Sequence, residues 1–145
     1  MLLFALLSCT DSADSGDQDG CSIEELAGDL AGQDATDCGS VGIDEDRTKI
    51  DACVVAAFEK GTPFYAVYVE QGIDSQVSNA VASDGANVWT LDYDSDPSGG
   101  GDVGAVVYQS TCVDPTVKDK KAEPGHERLS CSAPGTSTKI CDEGD

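Results

Sequence analysis

The residues best equipped for chemistry in this chain are its thiols. Seven cysteines occur in 145 residues. Six of them, Cys21, Cys38, Cys53, Cys112, Cys131 and Cys141, fall in the body of the sequence, separated by 16, 14, 58, 18 and 9 residues. Zinc sites draw on close pairs such as C-x2-C, and no such pair exists here. An even set at wide spacing reads instead as three disulfides formed in an oxidising compartment. The pairing expected first is Cys38–Cys53, Cys112–Cys131 and Cys21–Cys141. Its rival contains Cys53–Cys112, a bridge from helix to sheet. A bridge closing about 15 residues contributes about 3 kcal/mol, which a small core can use.

Other chemistry is sparse. The only histidine, His126, sits in a Pro-Gly-His-Glu turn and reads as an exposed loop residue. No serine lies in a G-x-S-x-G elbow. The glycine-rich run Ser98–Asp102 lies between two strand patterns rather than opening a helix, so it is not a phosphate cradle. Asp92, Asp94 and Asp96, with Asp102 nearby, are hard oxygen ligands of the kind Ca²⁺ takes. An EF-hand loop is excluded, because Pro97 stands at the glycine position and Val103 at the closing glutamate position. Residues i, i+2 and i+4 of a strand share a face but spread over roughly 13 Å. The expectation is a solvated loop whose aspartates discourage edge pairing, with no cofactor. Calcium at Asp92, Asp94, Asp96 and Asp102 is the alternative.

Charge narrows the partner classes. Eight Lys and Arg against 28 Asp and Glu give a net charge of −20. Nucleic-acid binding needs clustered cations that displace counterions from phosphate, and anionic lipid needs the same, so both are excluded as electrostatic partners. The apolar fraction, 39%, falls below the about 45–50% of ordinary globular chains. A modest core and a monomer are expected.

The elements that must position these residues begin after a leader. Residues 2–7 form an apolar run far shorter than the about 20 residues a membrane span requires. Leu6-Leu7-Ser8-Cys9 resembles the bacterial lipobox, in which a small residue precedes a cysteine that is lipidated and becomes the mature N-terminus. That resemblance implies a signal peptide over residues 1–8, a lipid on Cys9 and attachment to a membrane. Thr10, where an aspartate would favour inner-membrane retention, leans the location toward the outer membrane. Residues 10–20 hold four aspartates and no apolar side chain larger than alanine. Such a stretch cannot offset its ordering entropy, and residues 9–20 read as anchor and acidic tether, reaching at most about 36–40 Å.

Residues 21–145 read as one domain. Ser22 and Glu25 form a capping-box signal, and Ile23, Leu26, Ala27 and Leu30 share a helical face. Residues 31–43 read as loop. Ile50, Cys53, Val54, Ala57 and Phe58 trace a second, longer amphipathic helix, capped by an aspartate at 44–46 and stopped by Gly61. Alternating patterns then predict strands over 64–70, 75–82, 86–93 and 103–108. Asp84-Gly85 signals a two-residue hairpin turn, which would place Val81 opposite Val88 and Ala80 opposite Trp89. Residues 113–145 carry five of the eight basic residues and read as an irregular, stapled loop. The expected fold is α+β: a short N-terminal helix, then one main helix packed on a four-stranded antiparallel meander, a cystatin-like layer.

The run from Cys53 through Gly61-Thr62-Pro63-Phe64, residues 71–75 and residues 93–101 to Cys112 resembles small acidic, cysteine-rich bacterial lipoproteins of unassigned function. The resemblance implies export and carries no catalytic residue. The expected function is therefore a lipid-anchored, non-enzymatic cell-envelope protein that contacts another macromolecule, protein or polysaccharide. An extracytoplasmic enzyme or protease-inhibitor-like module is the alternative, and a calcium-dependent module built on Asp92–Asp102 is the third.

Overall fold

The computed structural model describes residues 20–101, 103–119 and 127–144. Cys9, the lipobox-like segment, the acidic residues 10–19, Asp102 and His126 lie outside the described residues. Among the described residues, two helices, α1 (Ile23–Ala31) and α2 (Thr48–Lys60), accompany eight strands. These are β1 (Thr36–Val41), β2 (Phe64–Gln71), β3 (Gln76–Ser83), β4 (Val88–Asp94), β5 (Val106–Val113), β6 (Thr116–Asp119), β7 (Glu127–Ser130) and β8 (Ala133–Asp142). The main sheet has six strands in the order β1-β2-β3-β4-β5-β8, and β6-β7 form a separate pair. Among the described residues only the β1-β2 pairing is parallel.

The class is α+β, and the sheet is wider than the predicted meander of four. The meander is its centre, β2 to β5. Each flank adds a strand the sequence hides. β1, Thr-Asp-Cys-Gly-Ser-Val, is poor in β-branched residues and is interrupted by a bulge at Gly39, whose φ is +93°. It reaches β2 by crossing over through α2, the connection parallel strands require. β8 is rich in Thr and Ser, contains Pro134 and Gly135, and lies on an edge where one side needs no partner.

The helices occupy opposite faces of the sheet. Along β2 the side chains alternate. Tyr65 and Val67 face α1, with Ala80, Ala82, Leu91 and Val107. Phe64, Ala66 and Tyr68 face α2, with Val41, Val54 and Ala57. α1 comes down on alanine against alanine: Ala27 and Ala31 on the helix meet a floor containing Ala80 and Ala82. The Ser22 hydroxyl accepts the Glu25 amide at 3.3 Å, which is half of the expected capping box. The Asp46 carboxylate accepts the Thr48 amide at 3.0 Å at the start of α2, and Gly61 ends that helix at a φ of +65°. The expected single helix-on-sheet layer is thus two layers, one on each face.

The β3-β4 hairpin corrects the predicted register. Ser83 pairs with Val88, so Val81 faces Thr90 and Ala80 faces Leu91. The loop holds residues 84–87 rather than two. Its geometry is set by the Asp84 carboxylate, which accepts the amides of Ala86 at 2.9 Å and Asn87 at 2.7 Å. The Ser83 hydroxyl donates to the Asn87 carbonyl at 2.7 Å. A side chain that substitutes for backbone partners lengthens the turn.

Three disulfides staple the layers: Cys38–Cys53 joins β1 to α2, Cys112–Cys131 joins β5 to the segment after β7, and Cys21–Cys141 joins the start of α1 to β8. Cys53 is therefore bonded across to β1, and the rival pairing with Cys112 is not formed. Three disulfides are compatible with an extracytoplasmic protein. Among the described residues, no helix is long and apolar enough to cross a membrane.

Candidate functional site: a groove on the second sheet face

α2 packs on β1, β2 and β7. Past β2, the face beneath it carries no helix among the described residues. The chain leaves β7 as a short strap, Cys131 and Ser132, and enters β8 at Ala133; the strap is fixed by the Cys112–Cys131 bridge and by the Ser132 amide and hydroxyl, which each donate to the Val113 carbonyl at 2.9 Å. Between this strap and the sheet lies an open groove of about 420 Å³. Tyr68, Asn79, Val81, Thr90 and Asp92 form its floor, and Ala133 and Pro134 stand in its wall.

The strand register organises that floor. Tyr68 pairs with Asn79, Asn79 with Asp92, and Asp92 with Tyr108. The four residues make one row across β2 to β5, spanning about 14 Å at the usual strand spacing. An amide and a carboxylate lie between two phenols. Tyr68 is buried, whereas Tyr108 is 41% exposed. Glu70 and Asp94 occupy the next row on the same face, each paired with Val77.

Asp92 is solvent-accessible and uncompensated. Partial burial raises its carboxyl pKa above the ordinary value, and the like charge of Glu70 raises it further. Among the described residues its carboxylate has neither ion-pair nor hydrogen-bond partner. Tyr68 closes the other end of the row through a charged network. Its hydroxyl donates to Asp51 Oδ1 at 3.0 Å, and Arg128 Nε donates to Asp51 Oδ2 at 2.8 Å. The Arg47 guanidinium stands 4.3 Å from the Tyr68 ring centroid, an attractive cation–π geometry. Burial, then the Asp51 charge and its hydrogen bond, push the Tyr68 phenol far above its ordinary range. Tyr68 is held as a neutral donor and is no acid–base catalyst near neutrality.

Of the aspartates singled out in the sequence, Asp92, Asp94 and Asp96 are described, and each has different surroundings. Asp92 lies in the groove floor. Asp94 Oδ1 accepts the Asp96 amide at 3.0 Å. Asp96 is spent within its own loop: Oδ2 accepts the Gly101 amide at 2.6 Å and Oδ1 accepts the Ser98 hydroxyl at 2.9 Å. The Gly101 bond, then that of Ser98, hold its pKa below the usual value. Among the described residues no group of three or more His, Cys, Asp or Glu side chains is placed to hold a metal ion. The six body cysteines are all bonded to one another.

Sequence reasoning passed over Asn79, Tyr108, Asp51 and Arg128. Asp51 carried a usable signal, being an acid on the apolar stripe of α2. The row Tyr68-Asn79-Asp92-Tyr108 appears only once the register is known, and a two-residue slip in the hairpin disperses it.

No family model, curated protein or solved structure matches the chain.

Proposed function

We propose that this is an exported envelope protein, held to a membrane by lipid on Cys9, whose half-open sheet face holds another macromolecule without chemical turnover. The observation that carries the binding role is the groove: its floor holds an amide and a carboxylate that has no partner among the described residues, an exposed tyrosine lies opposite that carboxylate in the same row, and a disulfide-fixed strap forms the wall. Sites mounted on strands with their support locked are suited to recognition. The anchoring role rests on Leu6-Leu7-Ser8-Cys9, and the disulfides agree with export.

Two measurements test it. Cys9→Ala is expected to move the protein from the membrane to the soluble fraction, because stable anchoring needs acyl chains. Equal membrane association of both forms overturns the anchor. A photo-crosslinker placed at Ser132, on the groove wall, is expected to give a discrete adduct in cells. The same group at Asp29, on the outer side of α1, is expected to give none. Matching adducts from both positions overturn the groove as the binding face.

The raised pKa of Asp92 beside Glu70 supports a second reading, an extracytoplasmic enzyme with Asp92 as general acid. Turnover of a glycan or peptide by the purified chain, lost in Asp92→Asn, would put that reading first.

A further inference from the structure

We propose that the groove recognises a basic polypeptide segment, one Lys or Arg side chain of which seats its cation between the Asp92 carboxylate and the ring of Tyr108. This rests on the reading of the groove as a binding face, and adds the chemistry of its partner.

Charge complementarity at two scales supports it. The molecule carries a net charge of −20, a field that concentrates cations and repels anions at the approach. Asp92 is the charged residue in the groove floor, and the register puts Glu70 on β2, Asp94 on β4 and Lys139 on β8 on the same face around it. Lys139 pairs with Tyr108 across β5-β8 and is engaged with Asp142, so three carboxylates stand against one cation on these strands. Asp92 is directly opposite Tyr108, which is exposed, so a carboxylate and a phenol side chain stand on neighbouring strands of one face. That pair matches an ammonium or guanidinium, which gains from both the ion pair and the ring quadrupole. The partial burial that disfavours ionised Asp92 is a penalty an incoming cation relieves. Asn79 and Thr90 flank the position with amide and hydroxyl groups suited to a peptide backbone.

The test uses the full chain, isotope-labelled, with its disulfides intact. It is titrated with a capped pentapeptide bearing one central lysine, then with the arginine and glutamine counterparts. Saturable shifts are expected at the amides of Asn79, Thr90, Asp92 and Tyr108 with the lysine or arginine peptide, and not with the glutamine peptide. Asp92→Asn is expected to weaken binding about tenfold, and Asp29→Asn, which removes the same unit of charge from the far face, to change it less than about twofold. The wild-type protein supplies a readout that needs no variant: the peptide should lower the Asp92 titration midpoint, because it binds the ionised form. Equal losses from Asp92→Asn and Asp29→Asn, or an unmoved midpoint, overturn the proposal in favour of diffuse attraction. Shifts of the same amides by a neutral oligosaccharide and not by the peptides overturn it in favour of a glycan. In either case an adduct from Ser132 leaves the binding face standing and only the cation assignment fails.

Discussion

Asp84, Asp92 and Asp96 show how neighbouring carboxylates of one type take opposite characters. Asp84 and Asp96 accept backbone amides within their own loops, and those bonds hold their pKa values down, Asn87 acting most on Asp84 and Gly101 most on Asp96. Asp92 receives no such bond, and burial raises it. Carboxyl NMR should therefore show Asp92 titrating above an ordinary aspartate and Asp84 and Asp96 below one; a shared midpoint would contradict the geometry. The consequences for stability have opposite signs. Asp84 and Asp96 stabilise the fold above their unfolded pKa of about 3.9, and that contribution is lost as pH falls through their lower folded values. Ionised Asp92 opposes folding, an effect that appears as pH rises through the unfolded value toward the folded one. Asp92→Asn should accordingly raise stability at neutral pH and give no such gain at about pH 3, checked by urea unfolding at both. A residue that weakens its own fold is typical of a binding position. Asp51 is the contrasting case, a buried carboxylate with two donors. Asp51→Ala should cost about 3 kcal/mol, because it strands the Arg128 guanidinium and the Tyr68 hydroxyl.

At the scale of elements, the α1 contact is the tightest joint. Ala27 and Ala82 are both 0% exposed, and the helix lies close because neither has volume to spare. Ala27→Leu should destabilise by about 1–3 kcal/mol through overpacking, and an unchanged urea midpoint would mean that the layer has slack. The elements legible in the sequence were those whose pattern is enforced by burial on a regular face. α2 follows from Ile50, Val54 and Ala57, and β2, β3 and β4 from their alternation, whereas β5 starts at Val106 and runs to Val113, past the expected end at 108. β1 and β8 were illegible because an edge strand is selected against apolar alternation: its residues answer to solvent on one side and to a single neighbour on the other. The hairpin misled for a different reason. Asp84-Gly85 is the strongest two-residue turn signal, but Asp84 accepts the Ala86 and Asn87 amides while the Ser83 hydroxyl donates to the Asn87 carbonyl, and together these bonds close a longer loop. Gly85 is needed there for its close approach, since a Cβ would come within 2.7 Å of the Gly61 carbonyl oxygen. Of the candidate site, Asp92 was legible as a carboxylate only. Its row required a register that composition does not encode.

Across the whole molecule, the two described ends of the chain meet at one corner. The Cys21 amide donates to Glu143 Oε1 at 2.7 Å, the Ala105 amide donates to Glu143 Oε2 at 3.1 Å, and Cys21 is bonded to Cys141 at a sequence separation of 120. Closing so long a loop contributes about 5 kcal/mol in the chain-entropy account, against about 3 kcal/mol for the separation of 15 between Cys38 and Cys53. Replacing both Cys21 and Cys141 by serine should therefore lower the urea midpoint further than replacing Cys38 and Cys53; the reverse order would show that the corner is held by Glu143 and packing alone. The same bond has a mechanical meaning. If Cys9 is fixed in a membrane and a partner is held in the groove, tension enters the domain at Gly20. With the disulfide intact, the load divides at Cys21 and a covalent share passes directly into β8, then laterally through β5 and β4 to the bound partner. Without it, the same pull would fall on α1 alone and peel that helix from its alanine floor one turn at a time. The bridge turns an unzipping geometry into a shearing one, so an optical-trap pull through residue 9 should meet its main resistance at the β5-β8 ladder and leave α1 seated.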